Sequence, residues 1–165
     1  MAEPSALVPV GRMVLKAIVD FLPRVILRRF YPREKLVAHI DVDVRSVSNL
    51  EFRLDNIPHA YLWLRITNRS PYVDIQVDHV FVDIWDSQPL VQLSSRKRPV
   101  IPRCTTPREA VLCEADLTDG HARRIRERKE ISEEFTCYIH AYFESAVGRI
   151  ERGETIRGVR GRIAG

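Results

Sequence analysis

The sequence is poor in the residues that build catalytic and metal centres. Its 165 residues include only three cysteines and five histidines. No CxxC or HxxxH pair occurs, so the spacing typical of zinc ligands is missing. The GxSxG nucleophile motif and the glycine-rich phosphate loops are missing as well. These absences predict a protein that is not an enzyme and has no catalytic, cofactor-binding or metal-ligating residues.

The few cysteines predict structural thiols rather than disulfides. Cys104, Cys113 and Cys137 are odd in number and form no close pair in the sequence. Cys137 shares its alternation phase with Phe135 and Ile139, which is typical of a small buried hydrophobic residue. Reduced thiols are typical of a reducing compartment. The sequence therefore predicts a cytoplasmic protein.

The chain also lacks an apolar run long enough to span a membrane. The apolar pattern between residues 12 and 26 is interrupted by Lys16, Asp20 and Arg24, which would lie at the centre of such a span. No small-residue cleavage site follows it. We therefore expect neither a transmembrane span nor a secretory signal.

Two-residue alternation dominates from residue 36 onward and is clearest between residues 60 and 85. Apolar side chains stand at every second position from Ala60 to Ile66. The turn residues Asn68-Arg69-Ser70-Pro71 follow. Alternation then resumes and changes phase between Val77 and Val80, as an extra residue in a β-bulge would produce. This pattern predicts two long strands joined by a turn.

Further strands are predicted at 36–44, 47–54, 90–93, 100–101, 109–115, 135–145 and 155–163. The glycines of the last segment indicate a bulge or a close backbone contact. Leu117–Glu134 is predicted to be an inserted helix with Thr118 or Asp119 as its cap. Many short strands separated by turns are typical of an antiparallel β-sandwich. The expected organisation is an N-terminal arm and amphipathic helix at 1–35, followed by a β-sandwich domain at 36–165.

The leading segment carries the whole net charge of +4. Residues 1–36 hold seven basic and three acidic groups, whereas the remaining 129 residues hold 19 of each. The predicted helix in this segment has an apolar face made of Val14, Ile18, Phe21, Leu22 and Val25. The basic cluster beside it consists of Arg28, Arg29, Arg33 and Lys35.

This combination fits two kinds of partner. An interfacial membrane helix inserts its apolar face at the headgroup boundary, and its basic groups meet anionic lipid. The same face could instead pack on the sheet, on a protein partner or on a second subunit of a homo-oligomer. The two alternatives are peripheral membrane binding and protein–protein interaction. Nucleic acid is not expected as a partner. Glutamates are interleaved with the arginines around 123–128, and the chain after residue 36 has no net charge.

A family resemblance follows from particular segments. The strand end Leu64-Arg65-Ile66-Thr67-Asn68, the turn Ser70-Pro71 and the long strand 73–85 resemble the water-stress and hypersensitive-response (WHy) domain of type-2 late embryogenesis abundant (LEA) proteins. Ile101-Pro102 with Thr105-Thr106 is similar to the linker between the halves of that domain. The chain departs from the family in having Asn68-Arg69-Ser70-Pro71 where Asn-Pro-Asn is usual. It also has Asp86-Ser87-Gln88-Pro89 in place of a hairpin glycine.

The resemblance implies an immunoglobulin- or fibronectin type III-like β-sandwich without catalytic residues. It also implies a role in the stress response, often close to membranes. From the sequence we therefore expect a non-enzymatic, stress-associated or membrane-associated binding protein, cytoplasmic or peripheral at the membrane.

Overall fold

The computed structural model describes residues 24–45, 50–104, 109–128 and 134–164. In these ranges the helices are α1 (Arg24–Phe30), α2 (Arg33–Ala38) and α3 (Asp119–Arg128). The strands are β1 (Ile40–Val44), β2 (Leu50–Arg53), β3 (His59–Asn68), β4 (Ile75–Asp86), β5 (Gln88–Ser95), β6 (Val100–Ile101), β7 (Glu109–Asp116), β8 (Glu134–Ser145) and β9 (Ile150–Ala164). Of the predicted apolar face, Val14, Ile18, Phe21, Leu22 and the side chain of Val25 lie outside the described residues.

The described part of the chain is mainly β, as the alternation predicted. Its nine strands form one mixed sheet in the order β1-β3-β2-β9-β8-β4-β5-β7, and β6 pairs with β4. β3 also pairs with β7, so the hydrogen-bonded path closes from β7 back to β3, and β1 pairs with β3 outside this closed path. The buried faces of the strands contribute to one hydrophobic cluster. An immunoglobulin-like sandwich type stays a prediction.

The expectation of a purely antiparallel arrangement is wrong at one pairing. β9 lies between β8 and β2, and it runs parallel to β2 from the Leu50–Gly161 pair to the Arg53–Ala164 pair. The other strand pairings are antiparallel. Alternation within a strand shows which face is buried but says nothing about the direction of a distant neighbour.

The opening alternation is confirmed in β3 and β4. Ala60, Leu62, Leu64 and Ile66 are fully buried, and the residues between them are partly exposed. In β4 the register against β8 shifts between Val77 and His79, so Asp78 is the extra residue. The predicted phase change is therefore a β-bulge.

The predicted start of the first strand at Leu36 is wrong, because residues 36–38 belong to α2. Pro32 precedes this helix in an extended conformation, and a fixed proline φ suits the entry to a helix. Arg33 to Leu36 are good helix formers. The strand β1 begins only at Ile40, four residues after Leu36, and both side chains are fully buried. Over so short a segment, periods of 2 and 3.6 place the same apolar residues inside.

The helix predicted in the second half of the chain is present over a shorter range. α3 begins at Asp119, and the Oγ1 of Thr118 accepts a hydrogen bond from the backbone N–H of His121 at 3.3 Å. Thr118 is thus the cap that the sequence predicted. Ala122 and Ile125 are the buried residues of the helix. Residues 129–133 of the predicted range lie outside the described part.

The glycines of β9 have the two roles that the sequence predicted. Gly158 has φ +70° where β9 carries an extra residue opposite the Phe135–Cys137 segment of β8. Gly161 allows close packing, because a Cβ there would lie 3.2 Å from Phe52 and closer still to Phe135. These two rings form an edge-on pair with centroids 5.5 Å apart. A positive φ and a close aromatic contact both favour glycine.

Cys113 and Cys137 are free thiols buried in the core, which confirms the interpretation of Cys137 as a small buried hydrophobic residue. Burial raises the pKa of each thiol from an ordinary value near 9 to about 12. For Cys113 the neighbouring Glu114 carboxylate raises the pKa further.

We expect the free energy of unfolding to fall between pH 9 and pH 12. In that window the unfolded chain has released the two thiol protons while the folded chain retains them, so rising pH favours unfolding by up to about 1.4 kcal/mol per pH unit for each thiol. Urea denaturation at pH 8, 9.5 and 10.5 measures this fall. The double variant Cys113→Ala with Cys137→Ala is the control, since its stability should depend less on pH. An equal slope in the two proteins would contradict the expectation.

Candidate functional site

The described part of the leading segment exposes the predicted basic residues. Arg28 and Arg29 are exposed on α1, and Arg33 and Lys35 are exposed on α2. The structure brings these four residues together on two consecutive short helices. Their contact with lipid or with a protein partner stays a prediction.

One side of α1 packs against the body of the protein. Leu27 and Tyr31 are buried, and the Tyr31 ring meets Tyr72 edge-on at 5.2 Å between centroids. The Tyr31 hydroxyl lies 3.1 Å from Nδ1 of His39. Burial raises the pKa of Tyr31, so its hydroxyl stays neutral at physiological pH. These contacts fix which side of α1 faces outward.

The outward side of α1 carries two large apolar residues that the sequence interpretation missed. Ile26 is 40% exposed and Phe30 is 74% exposed, and they are four residues apart on the same helix. Their spacing continues the interval from Ile18 to Leu22, so the sequence did contain a signal for them. The predicted apolar face ended at Val25, one residue before Ile26.

Arg33 connects α2 to the turn between β8 and β9. Its Nε donates to the carbonyl oxygen of Val147 at 3.3 Å. Gly148 in this turn has φ +116°, and a Cβ there would lie 2.7 Å from the Nη2 of Arg33. The positive φ favours glycine at this position, and any larger residue would also displace the Arg33 guanidinium.

An open cleft of about 850 Å³ lies beside this contact, and we call it the arginine cleft. It is lined by basic residues from three separate segments, by aromatic and apolar residues of the sheet, and by two carboxylates. These residues are Arg33, Arg98, Arg149, His79, Phe81, Tyr142, Ile150, Asp78 and Glu151. A neighbouring hollow of about 400 Å³ shares Arg33 and Arg149 with it and reaches Val37 of α2.

Asp78 organises the arginine cleft. Its Oδ2 accepts a hydrogen bond from Nη2 of Arg149 at 2.8 Å, and its Oδ1 lies 3.3 Å from Nη1 of Arg98. The Asp78 side chain is 17% exposed, whereas both guanidiniums are largely exposed. Asp78 is the extra residue of the β4 bulge, and bulges commonly redirect a side chain beside a site. In the sequence, Asp78 is one of several aspartates between residues 74 and 86, and nothing local distinguishes it from the others.

Aromatic rings form the other wall of the arginine cleft. The His79 and Phe81 rings lie 4.1 Å apart between centroids, and Phe81 meets Tyr142 edge-on at 6.4 Å. The guanidinium of Arg149 lies over the Tyr142 ring at 5.5 Å, within the range of a cation–π contact. Fixed guanidiniums beside aromatic surfaces form an arrangement suited to binding anions.

None of the helices in the described ranges is both long and apolar enough to cross a membrane.

Comparison with known proteins adds a distant likeness only. No protein-family model matches the sequence, and no curated protein matches it. A Northeast Structural Genomics Consortium target solved by X-ray crystallography aligns over 79% of this chain and 89% of its own, with 14% identity and a TM-score of 0.44. A solution structure assigned provisionally to the LEA proteins aligns over 88% of both chains, with 7% identity and a TM-score of 0.33. Both scores are too low to support an argument, so the WHy-domain assignment stays a prediction.

Proposed function

We propose that this protein is a non-enzymatic binding protein that docks peripherally on anionic membranes through the outward side of α1 and the basic residues around it. The observation that carries the proposal is Phe30, whose ring is 74% exposed although it lies among arginines on a helix packed to the body of the protein. The wider role that we propose is the stress-associated, cytoplasmic one implied by the family resemblance.

The energetics favour a lipid surface as the partner. Moving a phenylalanine side chain from water into an apolar environment contributes about 1.5–3 kcal/mol. Each basic group near an anionic bilayer contributes about 1 kcal/mol more. Arg28, Arg29, Arg33 and Lys35 are all exposed, and Glu34 is the acidic residue among them. One apolar side chain supported by several cations fits an interfacial contact, in which hydrophobic and electrostatic terms add.

The packing of α1 supports the same orientation. Because Leu27 and Tyr31 are buried, α1 cannot turn Phe30 inward without exposing them. Ile26 and Phe30 therefore face away from the body of the protein together. The four-residue spacing of Ile18 and Leu22 would extend this apolar row toward the N-terminus.

Vesicle co-sedimentation of the full chain tests the proposal. We expect binding to phosphatidylserine-containing vesicles and little binding to neutral phosphatidylcholine vesicles, with salt weakening the former. Phe30→Ser should lower the partition coefficient by about 10-fold or more, since the apolar contribution is lost. Arg28→Gln combined with Arg29→Gln should lower it and reduce its salt dependence.

Ile57 provides a matched control. It lies between β2 and β3 and is also 74% exposed, but it is not on α1. Ile57→Ser should leave vesicle binding unchanged. Equal losses from Ile57→Ser and Phe30→Ser would contradict docking through α1. The protein-partner alternative replaces membrane docking under two results together. The unmodified protein does not bind anionic vesicles, and Phe30→Ser lowers the oligomeric mass measured in solution.

A further inference from the structure

We propose that the arginine cleft is a binding site for a phosphate monoester group, whose organic part lies along the aromatic wall. This site is separate from the outward side of α1. It does not require the proposed membrane docking, and it takes the function of the protein beyond surface attachment.

The charges of the cleft leave room for an anion. Arg98 and Arg149 share the single carboxylate of Asp78. Arg33 donates to a backbone carbonyl, and no carboxylate within the described residues lies at ion-pair distance from it. Glu151, the other acidic residue of the lining, lies 3.7 Å from Nδ1 of His140. Three guanidiniums therefore face two carboxylates in the lining, and this excess of positive charge favours an anionic ligand.

The geometry of the guanidiniums suits phosphate in particular. A guanidinium has five N–H donors in a planar fork that matches phosphate oxygens, and the contact with Asp78 uses only part of that fork. Asp78 comes from the bulge of a central strand and its side chain is only 17% exposed, so one carboxylate holds two guanidiniums beside each other. Part of the ordering cost of binding is thus met before a ligand arrives.

The rest of the lining suits the organic part of a ligand. Phe81 and Tyr142 present ring edges and faces beside the arginines. The volume of about 850 Å³ lies within the usual range for small-molecule sites. An aromatic or apolar group attached to the phosphate would cover these rings. The phosphate monoester could belong to a free metabolite or to a lipid headgroup such as that of phosphatidic acid.

Isothermal titration with phenyl phosphate tests the site without a membrane. We expect saturable binding of one molecule per chain, with a Kd at or below about 1 mM. Arg98→Gln and Arg149→Gln should each weaken binding by about 10-fold, as expected for a charge-assisted contact. Arg96→Gln is the matched control, because Arg96 is exposed and pairs with Glu114 outside the cleft. Thermal melting of each variant verifies that it is folded.

Asp78→Asn distinguishes an organised site from a general positive field. This substitution removes a negative charge, so a non-specific electrostatic attraction would become stronger. If Asp78 positions the two guanidiniums, binding should instead weaken by several-fold. Tighter binding by Asp78→Asn would overturn the proposal, and so would equal losses from Arg96→Gln and Arg98→Gln.

A competition experiment with phosphatidic acid vesicles identifies the source of the phosphate. If phenyl phosphate binds and displaces the protein from phosphatidic acid vesicles, the lipid headgroup and the free ester share the site. If phenyl phosphate binds without displacing it, the site takes free esters. If neither phenyl phosphate nor phosphatidic acid binding depends on Arg98 or Arg149, the site is refuted. We expect Phe30→Ser to leave phenyl phosphate binding unchanged. Failure of the cleft proposal can therefore be distinguished from failure of the membrane-docking proposal.

Discussion

Replacing Asn68 with alanine is expected to destabilise the protein by about 3 kcal/mol or more, because one fully buried amide satisfies three backbone groups. Its Nδ2 donates to the carbonyl oxygens of Val73 at 2.8 Å and Ile101 at 3.2 Å. Its Oδ1 accepts from the backbone N–H of Ser70 at 3.0 Å. Alanine would leave these groups buried without a partner, and each costs about 1–3 kcal/mol.

Asn68→Asp is a second test of the hydrogen bonds made by the Asn68 amide. Aspartate has the same shape, but it would place a carboxylate oxygen against the two carbonyl oxygens that now accept from Nδ2. Burial of an unpaired charge costs more than loss of a hydrogen bond. We therefore expect Asn68→Asp to be less stable than Asn68→Ala at pH 7, and to recover partly as the pH falls and the carboxyl is protonated.

Urea denaturation at fixed pH measures these differences. Arg69→Ala is the control, since the Arg69 side chain is exposed and its ion pair with Asp41 lies on the surface. Exposed pairs of this kind contribute about 0–1 kcal/mol. If Asn68→Ala proves as mild as Arg69→Ala, the amide does not hold the β3–β4 connection to β6.

Replacing Leu36 with alanine is expected to cost about 2–5 kcal/mol, the range for large-to-small changes in a core. Leu36 is the buried residue of α2 and is fully enclosed. The substitution leaves a cavity beneath the helix that also carries Arg33. We therefore expect it to weaken phenyl phosphate binding at the arginine cleft as well as stability, because Arg33 would be less firmly placed.

Lys35→Ala provides the comparison for Leu36→Ala. Lys35 is exposed on the same helix, and lysine has a helix propensity similar to that of leucine. Its replacement should change the thermal midpoint little. If Leu36→Ala and Lys35→Ala have the same thermal midpoint, α2 is not anchored through Leu36.

Residue order by itself predicted most of the strand segments and their buried faces; the exception is the start of β1, because residues 36–38 are helical. The alternation through β3 and the phase change in β4 needed only the two-residue period of an extended chain. Thr118 as a helix cap and the bulge at Gly158 also followed from local chemistry, because caps and bulges depend on a few neighbouring residues. These features were predictable since their causes are local.

Tertiary structure decided how the segments meet. The parallel pairing of β9 with β2 depends on where the last strand enters the sheet, and alternation carries no information on that. The arginine cleft combines Arg33, Asp78, Arg98 and Arg149 from four segments that are distant along the chain. In the sequence these residues look like ordinary solvated charges. Only folding brings two guanidiniums to one half-buried carboxylate, because that contact depends on strand order and on the direction in which the β4 bulge turns Asp78.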